Sequence, residues 1–205
     1  MNEIIIATKN RGKAKEYNQL FNEYGITVKS LLDLSEEIPD VEETGDTFKE
    51  NARLKAEQIS RLLEIPVLAD DSGLVIDALD GQPGVYSARY AGEPTDDKKN
   101  YEKVLNELTE VPSQSRTARF VCVLALAIPQ GETVFKEGFC EGIIAESPVG
   151  GNGFGYDPIF IPEGFEQTMA QLEDEEKNKI SHRYHALMKM KMWLNVKLGK
   201  GESNE

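Results

Sequence analysis

Two acidic pairs, Glu42-Glu43 and Asp70-Asp71, are the residues whose type and spacing point most directly to chemistry. Magnesium prefers one or two carboxylates, with water and substrate phosphate oxygens completing its shell. Side chains alternate along a strand, so one member of each pair suffices: Asp71 shares a face with Ala69, and Asp70 with Leu68. The second pair directly follows the apolar residues 66–69, at what reads as a strand end, where open α/β sheets collect ligands. Glu42-Glu43 reads equally well as surface, since 36 acidic side chains must be distributed over the chain.

Cations for an anionic ligand come from three places. Thr8-x-Asn10-x-x-Lys13 joins an apolar strand to a helix, and Lys9, Arg11 and Lys13 crowd that helix's N-terminus, where free N–H groups suit phosphate. It is not a Walker A loop, because Ala7 stands where the first glycine is needed and Ala14 where a Ser or Thr is. A solvated strand-to-helix turn is an equally good reading of the segment by itself. Lys55 lies three residues after Ala52 and four before Ile59, on the flank of an apolar helical stripe; it either snorkels or faces something anionic. Arg183 precedes Leu187, Met190 and Leu194 by steps of four, three and four, so it points inward and needs an acceptor, a carboxylate or a ligand oxygen. The glycine-rich stretch around Phe154-Gly155-Tyr156-Asp157 fits no dinucleotide fingerprint. It is either a tight turn with a core phenylalanine or a place where a flat base meets backbone and ring.

The elements needed to position these groups follow from the pattern. Residues 4–7 read as a strand covered on both faces, 14–24 as a helix stopped by Gly25, and 26–32 as a second strand. Thr47 and Glu50 form a capping box for a helix whose buried stripe is Phe48, Ala52, Ile59 and Leu63. Residues 66–69 make a third strand, 95–108 a helix, and 116–128 with 133–145 a long hairpin about Gln130-Gly131. A last helix starts at Ser181, and residues 199–205 read as a disordered tail. With 205 residues and 40% hydrophobic content, the expectation is one α/β domain over residues 1–198 with a mixed sheet.

Composition removes several classes of partner. Twenty-three basic against 36 acidic residues leave a formal charge of −13, which repels nucleic acid and anionic membranes. No apolar run approaches the roughly 20 residues of a membrane-spanning helix, and residues 1–30 lack a signal peptide's apolar centre, so a cytoplasmic location is expected. Cys122 and Cys140 form no C-x-x-C pair and read as ordinary buried thiols. His182 and His185 are too few for a zinc site.

Seven motifs occur in order: Thr8-x-Asn10-x-x-Lys13, Glu42-Glu43-Thr44-Gly45, Thr47-Phe48-x-Glu50-Asn51-Ala52, Ala69-Asp70-Asp71-Ser72-Gly73-Leu74, Pro83-Gly84-Val85-Tyr86-Ser87-Ala88-Arg89, Phe154-Gly155-Tyr156-Asp157-Pro158 and Ser181-His182-Arg183. In this the chain resembles the inosine triphosphate pyrophosphatase family, the XTP/dITP diphosphatases, from about residue 3 to residue 195. The resemblance implies an elongated mixed β-sheet flanked by helices, with two lobes and the active cleft between them, and a homodimer. It implies Mg²⁺-dependent hydrolysis of ITP, dITP and XTP to nucleoside monophosphate and pyrophosphate. By the same resemblance Thr8, Lys9, Asn10, Arg11, Gly12 and Lys13 hold phosphates, and Lys55 adds a cation. Asp71 is metal ligand and general base, with Glu42 as its metal partner, although which of Glu42 and Glu43 reaches the metal stays open. Ser72 touches substrate, and Phe154, Gly155, Tyr156, Asp157, Lys177, His182 and Arg183 line the base pocket. Lys9 stands where many relatives have glycine.

Overall fold

A computed structural model describes residues 2–9, 11–34 and 38–199 of the chain. Six strands, β1 (Glu3–Ile6), β2 (Thr27–Ser30), β3 (Val67–Ile76), β4 (Thr117–Ala127), β5 (Val134–Ile144) and β6 (Phe160–Pro162), form one mixed sheet in the order β2-β1-β3-β4-β5-β6. The chain divides into two compact units, one of Met1–Asp71, Val123–Glu137 and Ala186–Glu205, the other of Ser72–Cys122 and Gly138–His185.

In the first unit, β1 (Glu3–Ile6) pairs in parallel with β2 (Thr27–Ser30), Glu3 opposite Thr27 and Ile6 opposite Ser30. On its other edge Ile5 and Ile6 lie opposite Val67 and Leu68 at the start of β3 (Val67–Ile76), again in parallel. Parallel neighbours require a crossover, and α1 (Arg11–Asn22) supplies it between β1 and β2. Ile4, Ile5 and Ile6 are completely or almost completely buried, as a strand covered on both faces requires. Gly25, at φ +69°, ends the turn after α1 in a conformation glycine reaches without strain.

The capping box of α2 (Phe48–Leu63) is present as expected: Thr47 accepts from the Glu50 N–H at 3.1 Å, and Glu50 accepts from the Thr47 N–H at 3.2 Å. The buried stripe differs from the sequence reading. Ala52 and Ile59 are buried with Asn51, Ala56 and Ser60, whereas Phe48 and Leu63 are only half-buried. The two polar members are satisfied, Asn51 by the Gly45 N–H and Ser60 by the Ile65 carbonyl, so burial costs them little.

The second unit holds the later half of β3, α3 (Asp97–Glu107), most of β4 (Thr117–Ala127) and β5 (Val134–Ile144), and β6 (Phe160–Pro162). β6 runs antiparallel to β5, with Gly142 opposite Pro162. A Cβ at Gly142 would collide with the Ile161 carbonyl and the Phe160 ring, so this pairing admits only glycine. Leu74, Ile76, Leu108, Phe120, Tyr156 and Phe160 anchor the core of this unit. Two elements follow: α4 (Asp174–Ile180) and α5 (His182–Lys197), whose Leu187, Met190 and Leu194 are buried as expected.

The larger departures from expectation are two boundaries and one unexpected helix. The first helix starts at Arg11, three residues earlier than the apolar spacing suggests, which places Lys13 in its first turn. Asp70 and Asp71 do not end a strand: β3 continues to Ile76, because Leu74 and Ile76 find a second core. The sequence reading also missed α4, seven residues with three acids in the first turn and two lysines in the last, a polarity that complements the helix dipole. Cys122 and Cys140 are free and buried, and burial, aided by the charges of Glu141 and Asp157, pushes the Cys140 thiol up to about 12. Among the described residues no helix is long and apolar enough to cross a membrane. The expected tail and Asn10 lie outside the described residues, apart from Gly199.

Candidate active site

In the first unit the chemistry gathers around the middle of β3. Alternation sends the Asp70 and Asp71 side chains to opposite faces, and each meets a lysine from a different helix. Lys13, in the first turn of α1, bridges to Asp70 Oδ2 at 2.7 Å. Lys55, one face of α2, donates to the Asp70 carbonyl at 2.7 Å and pairs with Glu43 Oε1 at 2.9 Å, with Asp71 Oδ1 at 3.9 Å. Two charged aspartates inside a strand are tolerated because these lysines neutralise them; unpaired, they would be costly.

Lys55 resolves its two sequence readings. Its ammonium is turned inward to carboxylates and does not snorkel to solvent. Burial alone would lower its pKa, but Asp71, Asp70 and Glu43 outweigh that penalty and raise it above the ordinary lysine value. It is therefore a fixed cation across the neutral range and unsuited to act as a base. Thr8, Lys9, Lys13, Glu43, Lys55 and Asp70 line one cavity of about 360 Å³. Lys9 reaches its rim, paired with Asp40 at 2.6 Å. A wider cavity of about 750 Å³ lies along another face of α2, where Arg61 pairs with Glu57 at 2.8 Å, and none of the candidate residues lines it.

Of the first acidic pair, Glu43 faces Lys55, while Glu42, the residue singled out by resemblance, is exposed and is not among the cavity's lining. Burial alternates from residue to residue over 41–46, so Glu43 is turned inward and Glu42 outward. Arg11 and Gly12 begin α1, but their side chains, like all of Asn10, lie outside the described residues. Among the described residues no group of three or more His, Cys, Asp or Glu side chains is placed to cage a metal. Magnesium does not need such a cage. The oxygen-only donors Glu43 and Asp71, which both face Lys55, suit a hard cation that takes its remaining oxygens from water and phosphate.

In the second unit a separate set surrounds the turn at 153–157. Asp157, buried, accepts from the Phe154 N–H at 2.9 Å and from Lys177 Nζ at 2.5 Å. The same ammonium lies 5.4 Å from the centre of the Phe154 ring, which is 66% exposed and so presents a flat apolar face. The Gly155 N–H donates to Asp97 Oδ2 at 2.7 Å, a support from the first turn of α3 that the sequence reading did not identify. Tyr156 is buried, and its hydroxyl donates to the Ser87 carbonyl at 2.7 Å, so it braces the turn from beneath. His182 stacks on Phe120 with ring centres 5.0 Å apart, and Arg183, in the first turn of α5, is 9% exposed. Ser72, half-buried, is the first residue of this unit and follows Asp71 along β3.

Gly153 sits at φ +77°, and a Cβ there would overlap the Asp157 carboxylate and the Lys177 ammonium. Gly153→Ala is expected to break that buried pair. Thermal or urea denaturation should show a loss of roughly 1–3 kcal/mol, from backbone strain and the displaced charges. Unchanged stability would mean that the turn does not depend on the glycine.

A mixed six-stranded sheet flanked by helices, with lysines and carboxylates gathered at one strand, defines an α/β protein equipped for phosphoryl chemistry. The chain belongs to the Ham1 family, whose model matches residues 4–193. It is 59% identical over 196 residues to a protein of Oceanobacillus iheyensis named dITP/XTP pyrophosphatase, covering 96% of this chain and all of that one. A protein of the same name from Halalkalibacterium halodurans is 58% identical, covering 95% of this chain and all of the relative. Among solved structures, the Staphylococcus aureus Ham1 protein superposes with a TM-score of 0.89 at 45% identity, covering 95% of this chain and 99% of that one.

Proposed function

We propose that the protein is a Mg²⁺-dependent pyrophosphohydrolase that converts ITP, dITP and XTP to the monophosphate and pyrophosphate, acting in the cytoplasm as a homodimer. Relatives named dITP/XTP pyrophosphatase at 55–59% identity support the substrate class. The observation that carries the chemistry is the Lys55 cluster, a buried fixed cation paired with the Glu43 and Asp71 carboxylates and bonded to the Asp70 carbonyl. Hydrolysis between the α and β phosphates accumulates negative charge on non-bridging and leaving oxygens, and preorganised cations are the means of stabilising it.

Residue roles follow from chemistry. Thr8 and the N-terminal turn of α1 bind phosphate oxygens through a hydroxyl, backbone N–H groups and the Lys13 ammonium. Lys55 holds its charge toward the same oxygens. Asp71 takes the proton of the attacking water at a carboxylate oxygen, and Glu43 and Asp71 are the residues that would hold magnesium. When bound, the ion supplies charge neutralisation for the phosphates. Phe154 stacks on the base, while Lys177 and Asp157 fix the turn that carries it. His182 adds to the base pocket and Arg183 donates to a 6-oxo group. The Phe154 and Gly155 N–H groups are engaged by Asp157 and Asp97, so the side chain of Arg183 bears more of the selectivity than the backbone does. Adenine's 6-amino group offers a donor where an acceptor is needed, and such a mismatch costs a site its buried hydrogen bonds.

Arg183→Ala is expected to lower kcat/KM for ITP far more than for ATP, reducing the preference by roughly a hundredfold. An unchanged ratio would remove Arg183 from base recognition. The reaction itself is tested by the products of ITP turnover, read separately as pyrophosphate and orthophosphate with and without EDTA. Pyrophosphate formation abolished by EDTA supports the proposal, and orthophosphate as the first product overturns it.

A further inference from the structure

The motif running from Pro83 to Arg89 has no part in the roles above, yet it is hydrogen-bonded to β3, to α3 and to the turn at 154–157. Gly84–Arg89 forms a short 3-10 turn. Ser87 within it is buried, and its Oγ both donates to the Gly84 carbonyl at 2.6 Å and accepts from the Leu74 N–H at 2.9 Å. The Ser87 carbonyl accepts from the Tyr156 hydroxyl at 2.7 Å. The far end of the turn is clamped by Asn100 of α3, 1% exposed, which donates to the Ala88 carbonyl at 2.9 Å and accepts from the Ala91 N–H at 2.7 Å. One serine thus holds two elements: Leu74 lies two residues after Ser72 on β3, and Tyr156 lies inside the turn at 154–157.

Leu74 and Tyr156 belong to the same apolar cluster, where a broken hydrogen bond is not replaced by water. A displacement of the 154–157 turn therefore pulls on the Tyr156 hydroxyl, then on the Ser87 backbone, then on the N–H of Leu74. We infer that Ser87 is a positioning residue that ties the base-reading turn to the strand carrying Ser72 and Asp71, so that engagement of the base tightens the reacting strand. The assignment rests on the site roles proposed above. It gives physical form to a general expectation, that binding energy from a remote part of a substrate is used at the reacting centre.

Two deletions of a single hydroxyl test it, Tyr156→Phe and Ser87→Ala. The first readout is amide hydrogen exchange of residues 72–76 in the ligand-free protein. Tyr156→Phe, whose lost hydroxyl is linked to β3 by hydrogen bonds through Ser87, is expected to speed exchange there by roughly fivefold, as Ser87→Ala does. Exchange within about twofold of wild type in Tyr156→Phe would overturn the inference, because the link would then end at Ser87. The second readout is steady-state hydrolysis of ITP by the folded fraction. Both variants are expected to lose roughly fivefold or more in kcat with KM within about twofold, whereas a merely structural brace would lower the folded fraction and leave kcat per folded molecule unchanged. Failure of wild type to hydrolyse ITP would overturn the proposed function and leave the exchange experiment to decide the coupling by itself.

Discussion

Asp71→Asn is expected to lower pyrophosphate release from ITP by roughly a thousandfold or more while ITP still binds. Asparagine keeps the volume and a hydrogen-bonding oxygen, so the half-strand from Val67 onward should hold its place. It cannot accept a proton at neutral pH, and it removes one of the two carboxylates assigned to the metal. Lys55 retains the Asp70 carbonyl and Glu43 as partners at 2.7 and 2.9 Å, so its charge stays satisfied in the variant. The check is single-turnover hydrolysis alongside calorimetric titration with ITP. Activity within tenfold of wild type would place the base elsewhere.

Lys55→Met is expected to have a similarly large effect by a different route. The methionine fills the same stem volume but leaves Glu43 and Asp71 without the cation that now lies 2.9 and 3.9 Å away. Negative charge gathered there repels the triphosphate, and the transition state loses a preorganised cation, for a combined loss of roughly a hundredfold or more in kcat/KM. Asp71→Asn and Lys55→Met should separate in KM, since only the second weakens binding of the anionic substrate strongly. Lys55→Arg tests the point charge against the shape: a planar guanidinium cannot serve the Asp70 carbonyl and Glu43 from one nitrogen in the same geometry. Because the Lys55 pKa is raised, stability contributed by its pairing is present below the ordinary lysine value and lost only as pH climbs through the raised one. An activity profile that varies near neutral pH therefore reports other groups.

Much of this site was legible because its parts lie in local patterns. The reciprocal Thr47 and Glu50 bonds follow from a three-residue spacing, and the inward turn of Arg183 from the periodicity of Leu187, Met190 and Leu194. Lys55 could be narrowed to two fates, and long-range contact with β3 chose between them. What escaped was non-local. Nothing in the order of Glu42 and Glu43 says which one faces α2, because the segment before Thr47 has no periodic apolar partner to set its register. The end of β3 was misread for a related reason. Two aspartates after an apolar run resemble a strand terminus unless one knows that Lys13 and Lys55 neutralise them and that Leu74 and Ile76 enter another core. Asp97 and Ser87 were invisible as supports, since their partners lie 58 and 69 residues away, at Gly155 and Tyr156.

The central claim is that one chain combines a phosphate-side cation cluster with selection for 6-oxo purines that lack guanine's 2-amino group, and cleaves the α–β bond. The most direct test is a panel of ITP, XTP, GTP, ATP, CTP and UTP, each with and without Mg²⁺, scoring pyrophosphate and orthophosphate separately. The expected result is magnesium-dependent pyrophosphate release concentrated on ITP and XTP. Comparable turnover of ATP, or orthophosphate as the first product, would contradict the account.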